Sequence, residues 1–448
     1  MNINRDLVTE PIPKLIRNIA MPASIGFFFN TMYNVVDTYY AGFVSTEALA
    51  ALSLSFPVFF IIIAMGSGIS TGATALIAHA SGEDDSQSAK YYAIQAISFS
   101  VMVAVALSFL GLFLAPWLFG ILGASGQYLD LAVSYINIIF YGAIFFLLNF
   151  ILNGILNSQG DTKTFRNILI VGFVLNLLFD PWFMFGGFGL PAMGLRGVAV
   201  ATVFIQFISV VYMFWRVSKT GVFCKDCLKM IRPQKKYIFE ISKQGFPASL
   251  NMMTVALGIF IITYFISKYG SEAVAAYGIA TRIDQIALLP AIGVNVAALS
   301  LIGQNNGAKQ YDRCREVIKK TTKYGAVVGL IGGFLVFILA RVLMSVFTKE
   351  ASIIEHGVTY LHISIFAYVA YTFLFISTSL LQGLKKPFYA IWIGIYRQLL
   401  SPPIVFYFLS TALGLGIVGI WWGIFAITWS AAIISFFYLR HMSDKILK

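Results

Sequence analysis

The chain has 448 residues, of which 59% are hydrophobic and 11% are charged, and its formal net charge is +12. So few polar residues cannot cover a soluble core of this size, which excludes a soluble enzyme or scaffold. The basic residues are spread between apolar runs and form no single patch, so no nucleic-acid partner is expected.

Twelve apolar runs are each long enough, at about 20 residues or more, to cross a bilayer as a helix. In chain order they cover residues 14–42, 48–78, 89–117, 128–158, 164–187, 195–218, 238–268, 272–302, 313–343, 353–382, 388–412 and 416–440. The first run continues well past Arg17 without a cleavage site, so we interpret it as a span and not as a signal peptide. The sequence therefore predicts an all-α membrane protein with twelve transmembrane helices.

Lys and Arg residues outside these runs or at their edges are concentrated in alternate segments. Eight of them lie between residues 216 and 243, and six lie between residues 309 and 323. The other set of loops holds only Arg196, Lys268, Arg341 and Lys349. Because Lys and Arg are enriched in cytoplasmic loops, we predict that both termini are cytoplasmic.

The sequence aligns with itself, without a gap, at a displacement of 225 residues. PAS at 22–24 then overlies PAS at 247–249, and EALAA at 47–51 overlies EAVAA at 272–276. Two homologous halves are typical of membrane transporters, whose substrate site lies where the repeats meet. The predicted divisions are an N-lobe at 1–218, a cytoplasmic linker at 219–237 and a C-lobe at 238–448.

Ionisable residues in the middle of a span are expensive, so each is a candidate for function. Five are found here: Asp37, Asp180, Arg282, Asp284 and Arg397. The first two are the only ones in the N-terminal half, where no basic residue accompanies them.

The two acids of the N-terminal half lie at a similar estimated depth, near other polar side chains. The predicted cluster is Asn34, Asp37, Tyr135, Asn176, Asp180 and Thr202. Carboxylate, amide and hydroxyl oxygens of this kind can bind a proton or a sodium ion, and we expect a sodium site, if there is one, at Asp37, Asn176 and Asp180. The alternative is that these side chains only hold helices together by hydrogen bonds.

In the C-terminal half, Asp284 and Arg397 reach similar depths, and we predict that they form a structural charge pair rather than a substrate site. The role of Arg282 is left open. Pro22 removes a hydrogen bond from the first span and predicts a kink, which is either a static bend or a moving hinge. Cys224 and Cys227 form a C-x-x-C pair without a second ligand pair, so we expect no metal there.

Several motifs are spread over the chain: NVVDTYYAG at 34–42, the stretch from EALAA to HASGEDD at 47–85, SQGDTKT at 158–164, TRIDQIALLPAIG at 281–293 and LIGQNNGA at 301–308. Together they resemble the multidrug and toxic compound extrusion (MATE) transporter family over essentially the whole chain. In one branch of the family, essential carboxylates lie in the seventh and tenth spans, but here residues 251–268 of the seventh span and 361–382 of the tenth contain no acid. The chain is therefore similar to the branch of the damage-inducible protein DinF and its archaeal relatives.

This resemblance implies two six-helix lobes, related by a pseudo-twofold axis, around a central cleft. It implies export of organic cations and amphipathic compounds in exchange for H⁺ or Na⁺, in the cytoplasmic membrane of a prokaryote and as a monomer. It also implies that the cation-coupling residues include Asn153 beside the cluster named above. No cofactor and no enzymatic activity are expected.

Two alternatives remain at this stage. A flippase for lipid-linked precursors belongs to the same superfamily, but a pyrophosphate would need cavity cations, whereas the N-terminal half offers acids only. A membrane enzyme would need a nucleophile paired with a base, and no such pair can be named in the sequence.

Overall fold

The computed structural model describes residues 7–121, 124–187, 189–221 and 230–447. These residues are almost entirely helical, and an isolated β-bridge joins Gly187 to Leu190. The first seven helices are α1 (Ile12–Val44), α2 (Thr46–Gly82), α3 (Ser86–Ile121), α4 (Gly126–Tyr141), α5 (Ala143–Ser158), α6 (Lys163–Phe185) and α7 (Leu195–Ser218). Then follow α8 (Lys235–Ser267), α9 (Ser271–Gly307), α10 (Tyr311–Phe347), α11 (Ala351–Ser364), α12 (Tyr368–Gly383), α13 (Phe388–Ile395), α14 (Ser401–Phe406) and α15 (Gly416–Ile446).

All twelve predicted runs overlap with these helices, but they do not all form uniform spans. Within the described ranges, nine helical segments are long and apolar enough to cross a membrane, and the pair α4 and α5, bent by 48°, would be a tenth. The apolar sequence of α1 is interrupted by Asn30, Asn34 and Asp37. The run at 388–412 is divided by two π-helical turns, Tyr396–Leu400 and Tyr407–Ala412.

The described residues divide into two compact units. Residues 25–249 form one unit, and residues 7–24 together with 250–447 form the other. The two boundaries lie inside α1 and α8, at positions that correspond at the 225-residue displacement of the repeat. The first part of each of these helices therefore belongs to a different unit from its second part.

Each unit contains a close helix crossing built on a glycine. In the first unit, a Cβ atom on Gly68 of α2 would lie 2.5 Å from the backbone nitrogen of Ser249 in α8. In the second unit, a Cβ atom on Gly293 of α9 would lie 2.3 Å from the carbonyl oxygen of Ala20 in α1. Gly68 and Gly293 are equivalent in the repeat, so the duplication seen in the sequence extends to the packing.

The turns after equivalent helices also match. Asp84 follows α2 with φ 56°, and Lys309 follows α9 with φ 55°. Both halves keep this left-handed backbone conformation, although the residue at this position is acidic in the first half and basic in the second. After the first of these turns, Ser88 donates its backbone N–H to Asp85 Oδ1 at 2.9 Å. Hydrogen bonds from Ser88 lower the pKa of Asp85, so this residue keeps its charge at the start of α3.

The SQGDTKT motif joins two helices of the first unit at one end. Asp161 accepts hydrogen bonds from the backbone N–H and hydroxyl of Thr164, at 3.1 and 2.6 Å, and so caps α6. Arg216, near the end of α7, donates to Asp161 Oδ2 at 3.3 Å. This arrangement fixes the start of α6, which carries Asn176 and Asp180 further along.

Candidate functional site

The first unit brings Asp37 and Asn176 into direct contact. Asp37 of α1 is 7% exposed, and Asn176 of α6 is fully buried. Asn176 Nδ2 donates a hydrogen bond to Asp37 Oδ1 at 2.8 Å. A buried carboxylate therefore receives one amide hydrogen bond, and this bond links α1 to α6 within the unit.

Asp180, one turn further along α6, is also fully buried, but neither of its carboxylate oxygens has a hydrogen-bond donor among the described residues. Pro181 follows it inside the helix and cannot donate to the carbonyl oxygen of Leu177. Tyr40 of α1 donates to that oxygen instead, at 3.3 Å. The carboxyl group of Asp180 thus lies next to a turn of α6 that lacks one backbone hydrogen bond.

A hydroxyl and two phenols complete the cluster. Thr202 of α7 is 4% exposed, and no hydrogen bond in the described part of the chain reaches its Oγ1 atom. Tyr135 of α4 and Tyr33 of α1 both lie close enough to the two carboxyl groups to interact with them electrostatically. Tyr33 is absent from the sequence prediction, although it precedes Asp37 by four residues and so lies on the same helix face.

Two predicted members do not join this cluster. Asn34 is exposed, and its side chain donates to the carbonyl oxygen of Asn30 at 3.0 Å. Asn153 of α5 is buried, but none of the hydrogen bonds of the described chain links it to Asp37 or Asp180. The acidic site, as we use the term below, therefore consists of Tyr33, Asp37, Tyr135, Asn176, Asp180 and Thr202.

The acidic site contains several buried oxygen atoms that have no hydrogen-bond partner. Buried oxygens of Asp180, Asn176, Thr202 and Tyr33 have no partner among the described residues. Buried polar atoms rarely lack a hydrogen-bond partner. A bound cation could interact with these oxygens in place of a hydrogen-bond donor. No group of three or more His, Cys, Asp or Glu side chains suited to a metal is found in the described ranges. Carboxylate, amide and hydroxyl oxygens of this kind are ligands that a hard cation prefers.

In the second unit, Asp284 of α9 is buried and fully hydrogen-bonded. It accepts hydrogen bonds from the hydroxyls of Tyr360 at 2.8 Å, Tyr368 at 2.5 Å and Ser364 at 3.3 Å. Tyr360 also packs edge-on against Trp421, at a centroid distance of 5.0 Å. Three hydroxyls can stabilise a carboxylate without a neighbouring base.

The predicted charge pair of Asp284 and Arg397 is not formed. The Arg397 guanidinium lies over the ring of Tyr371, 5.5 Å from its centroid, and its buried Nη1 has no hydrogen-bond partner among the described residues. The similar depth estimated from the sequence was not enough to pair the two side chains. The Asp284 carboxylate is bonded to hydroxyls of α11 and α12 instead. Arg282, two residues before Asp284, is exposed.

Pro22 is buried within α1, which continues through it as one helix. It precedes the boundary between the two units by two residues. Its role as a hinge stays a prediction. Cys224 and Cys227, for which we expected no function, lie outside the described residues.

A family model described as MatE matches the chain twice, over residues 22–182 and 247–407. The two matches differ by the same 225 residues at which the sequence aligns with itself, which confirms the duplication. The chain belongs to the MatE family. Its fold is the two-lobed, all-helical fold of MatE transporters, and it is a multi-pass membrane transporter and not an enzyme.

Known members of the family cover the chain almost completely. The multidrug export protein MepA of Staphylococcus aureus (strain bovine RF122 / ET3-1) is 26% identical over 93% of this chain and 90% of its own length. The FAD transporter of Shewanella oneidensis MR-1 is 26% identical over 89% of this chain and 88% of its own. The solved structure of a MOP superfamily transporter from Pyrococcus furiosus is 25% identical in sequence and superimposes with a TM-score of 0.92. The alignment covers 99% of this chain and 98% of the Pyrococcus chain.

Proposed function

We propose that this MatE transporter exports amphipathic organic compounds, cations among them, in exchange for a proton or a sodium ion bound at the acidic site. The similarity to a multidrug export protein over 93% of the chain supports the substrate class. One observation carries the coupling site: two buried acids interact with each other, and the oxygens of Asp180 have no hydrogen-bond donor in the described part of the chain.

The acidic site is suited to couple ion binding to a conformational change. Its members come from α1, α4, α6 and α7, and only one hydrogen bond, from Asn176 to Asp37, joins α1 to α6 within it. A cation placed between the oxygens would attract all four helices, whereas two bare carboxylates would repel each other. Ion occupancy thereby favours one arrangement of these helices over another, which is what coupling requires.

The same charge balance links the ion to the substrate. With the ion absent, the acidic site is negative and attracts an organic cation. Once a proton or sodium ion enters from outside, the charge is neutralised and the attraction to the substrate weakens. Release to the outside and rebinding from the inside then follow the direction of the ion gradient.

Export from proteoliposomes tests this proposal. The probe is rhodamine B ethyl ester, an amphiphilic dye with a permanent positive charge, and a proton gradient and a sodium gradient are applied separately. We expect one of the gradients to drive export by wild type, and Asp37→Asn and Asp180→Asn to abolish it. Asp130→Asn, which changes an exposed acid of α4, is the matched control and should export normally. Normal export by both site variants would refute the proposal.

A further inference from the structure

We infer that Arg397 is a recognition site for a carboxylate group on the transported compound. The inference rests on the proposed function and adds a preference, within its substrate class, for amphiphiles that carry a carboxylate as well as a cation. Three features of the Arg397 guanidinium support the inference. It lies over the ring of Tyr371, one of its N–H groups is buried without a hydrogen-bond partner, and it pairs with no acid among the described residues.

The position of Arg397 has a cause in the sequence. Pro402 and Pro403 lack the N–H groups that would bond to the carbonyl oxygens four residues earlier. The helix widens there into the π-helical turn Tyr396–Leu400, which contains Arg397. Single π-helical turns inside helices are common at functional sites, because they reorient a side chain that a regular helix would direct elsewhere.

No acidic side chain of the described residues pairs with Arg397. Asp284, the acid that we expected to pair with it, is held by Tyr360, Tyr368 and Ser364. The ion pairs found in the second unit, Lys14 with Glu10 and Arg315 with Asp312, do not involve it. An unpaired guanidinium at this depth is costly unless water or an anion reaches it, and Arg397 is partly exposed, so a ligand has access.

The geometry of the contact favours a planar oxyanion. The guanidinium lies over the Tyr371 ring, and a planar guanidinium can donate two parallel N–H groups to one carboxylate. A single arginine balances the single charge of a carboxylate, whereas a phosphate dianion would need a second cation.

A binding measurement on the purified full-length protein tests this inference. Rhodamine B and its ethyl ester carry the same cationic ring system, but only rhodamine B has a free carboxylate. We expect wild type to bind rhodamine B at least about tenfold more tightly than the ester, measured by fluorescence polarisation, as a charge-assisted bidentate contact implies. Arg397→Met should remove this difference and leave the affinity for the ester unchanged.

Three controls separate recognition from a structural role. Arg341→Met, at an exposed arginine of α10, and Tyr371→Phe, which keeps the ring face, should both retain the preference. Arg397→Lys should retain part of it, because it keeps the charge but loses the planar fork. Should Arg397→Met not fold, benzoate competition on wild type replaces it: benzoate should displace rhodamine B and not the ester.

Equal affinity of wild type for the two dyes, a preference that survives Arg397→Met, or failure of benzoate to compete would each overturn the inference. A different measurement tests the proposed function, namely the gradient-driven export of the ester and its loss in Asp37→Asn. Either result can therefore fail while the other stands.

Discussion

At the residue scale, the two acids of the acidic site differ in what holds them. Asp37 accepts a hydrogen bond from Asn176, whereas Asp180 accepts none. A buried carboxylate without donors destabilises the fold when it is ionised. Ionisation of Asp180 therefore lowers the stability of the fold, and a cation bound at Asp180 would offset this loss.

Replacing Asp180 by Asn should leave the melting temperature of the purified protein unchanged or raise it, while coupled export is lost. The physical reason is that a neutral side chain of the same shape removes a buried charge that no group compensates. Thermal unfolding in detergent followed by intrinsic fluorescence measures the first effect, and the proteoliposome assay measures the second. A large drop in melting temperature would show that Asp180 is structural.

Replacing Asp284 by Asn should have the opposite effect on stability. Three hydroxyls donate to the Asp284 carboxylate, and an amide accepts fewer of them, so we expect a loss of about 2–4 kcal/mol in the free energy of unfolding. Thermal unfolding of the same preparation gives the comparison. If the two variants lose the same stability, the distinction between a satisfied and an unsatisfied acid is wrong.

The sequence predicted much of the acidic site and little of the environment of Asp284. Helix spacing placed Asn176 and Asp180 on one face, and the structure brings this face to Asp37. Asn34, three residues before Asp37, is exposed and bonded to the carbonyl oxygen of Asn30, so its part in the site stays a prediction. The hydroxyls around Asp284 come from helices far along the chain, and no local pattern in the sequence reveals that contact.

At the element scale, glycine sets how closely α2 and α8 pack in the first unit. Changing Gly68 to Ala would place a Cβ atom 2.5 Å from the backbone nitrogen of Ser249, and backbone atoms cannot move aside without displacing the helix. We expect a destabilisation of about 1–3 kcal/mol, measured by thermal unfolding in detergent. Gly42→Ala in α1, whose Cβ atom would meet nothing within 4 Å, should instead be neutral or stabilise by up to about 1 kcal/mol.

The interior breaks of the helices could not be predicted from the apolar pattern. The run at 128–158 is apolar throughout, yet α4 and α5 meet at a 48° bend. The run at 388–412 contains Pro402 and Pro403, which signal irregularity, but the pattern does not show that the irregularity takes the form of two π-helical turns. Hydropathy reports which segments are in the membrane, while their shape depends on local backbone hydrogen bonds.

At the scale of the whole molecule, the repeat in the sequence predicted the duplicated fold, and the two matches of the family model confirm it. The orientation in the membrane rests on the distribution of Lys and Arg alone. The orientation is therefore best tested by an independent measurement.

Single cysteines introduced into a cysteine-free variant should define the orientation. We expect a cysteine at Thr220, beside the basic linker, to react with an impermeant maleimide only after the cells are opened. A cysteine at Lys349, between α10 and α11, should react in intact cells. Labelling of both positions from outside would contradict the predicted cytoplasmic termini.

The central claim is that the coupling ion and the exported compound are linked through Asp37 and Asp180. The most direct measurement is the affinity of the purified protein for rhodamine B ethyl ester as a function of pH and, separately, of sodium concentration. The account predicts that wild type binds the dye more weakly as protons or sodium ions are added, because the added charge neutralises the acidic site. It also predicts that the Asp37→Asn/Asp180→Asn double variant binds the dye independently of both. An undiminished ion dependence in a folded double variant would contradict the account.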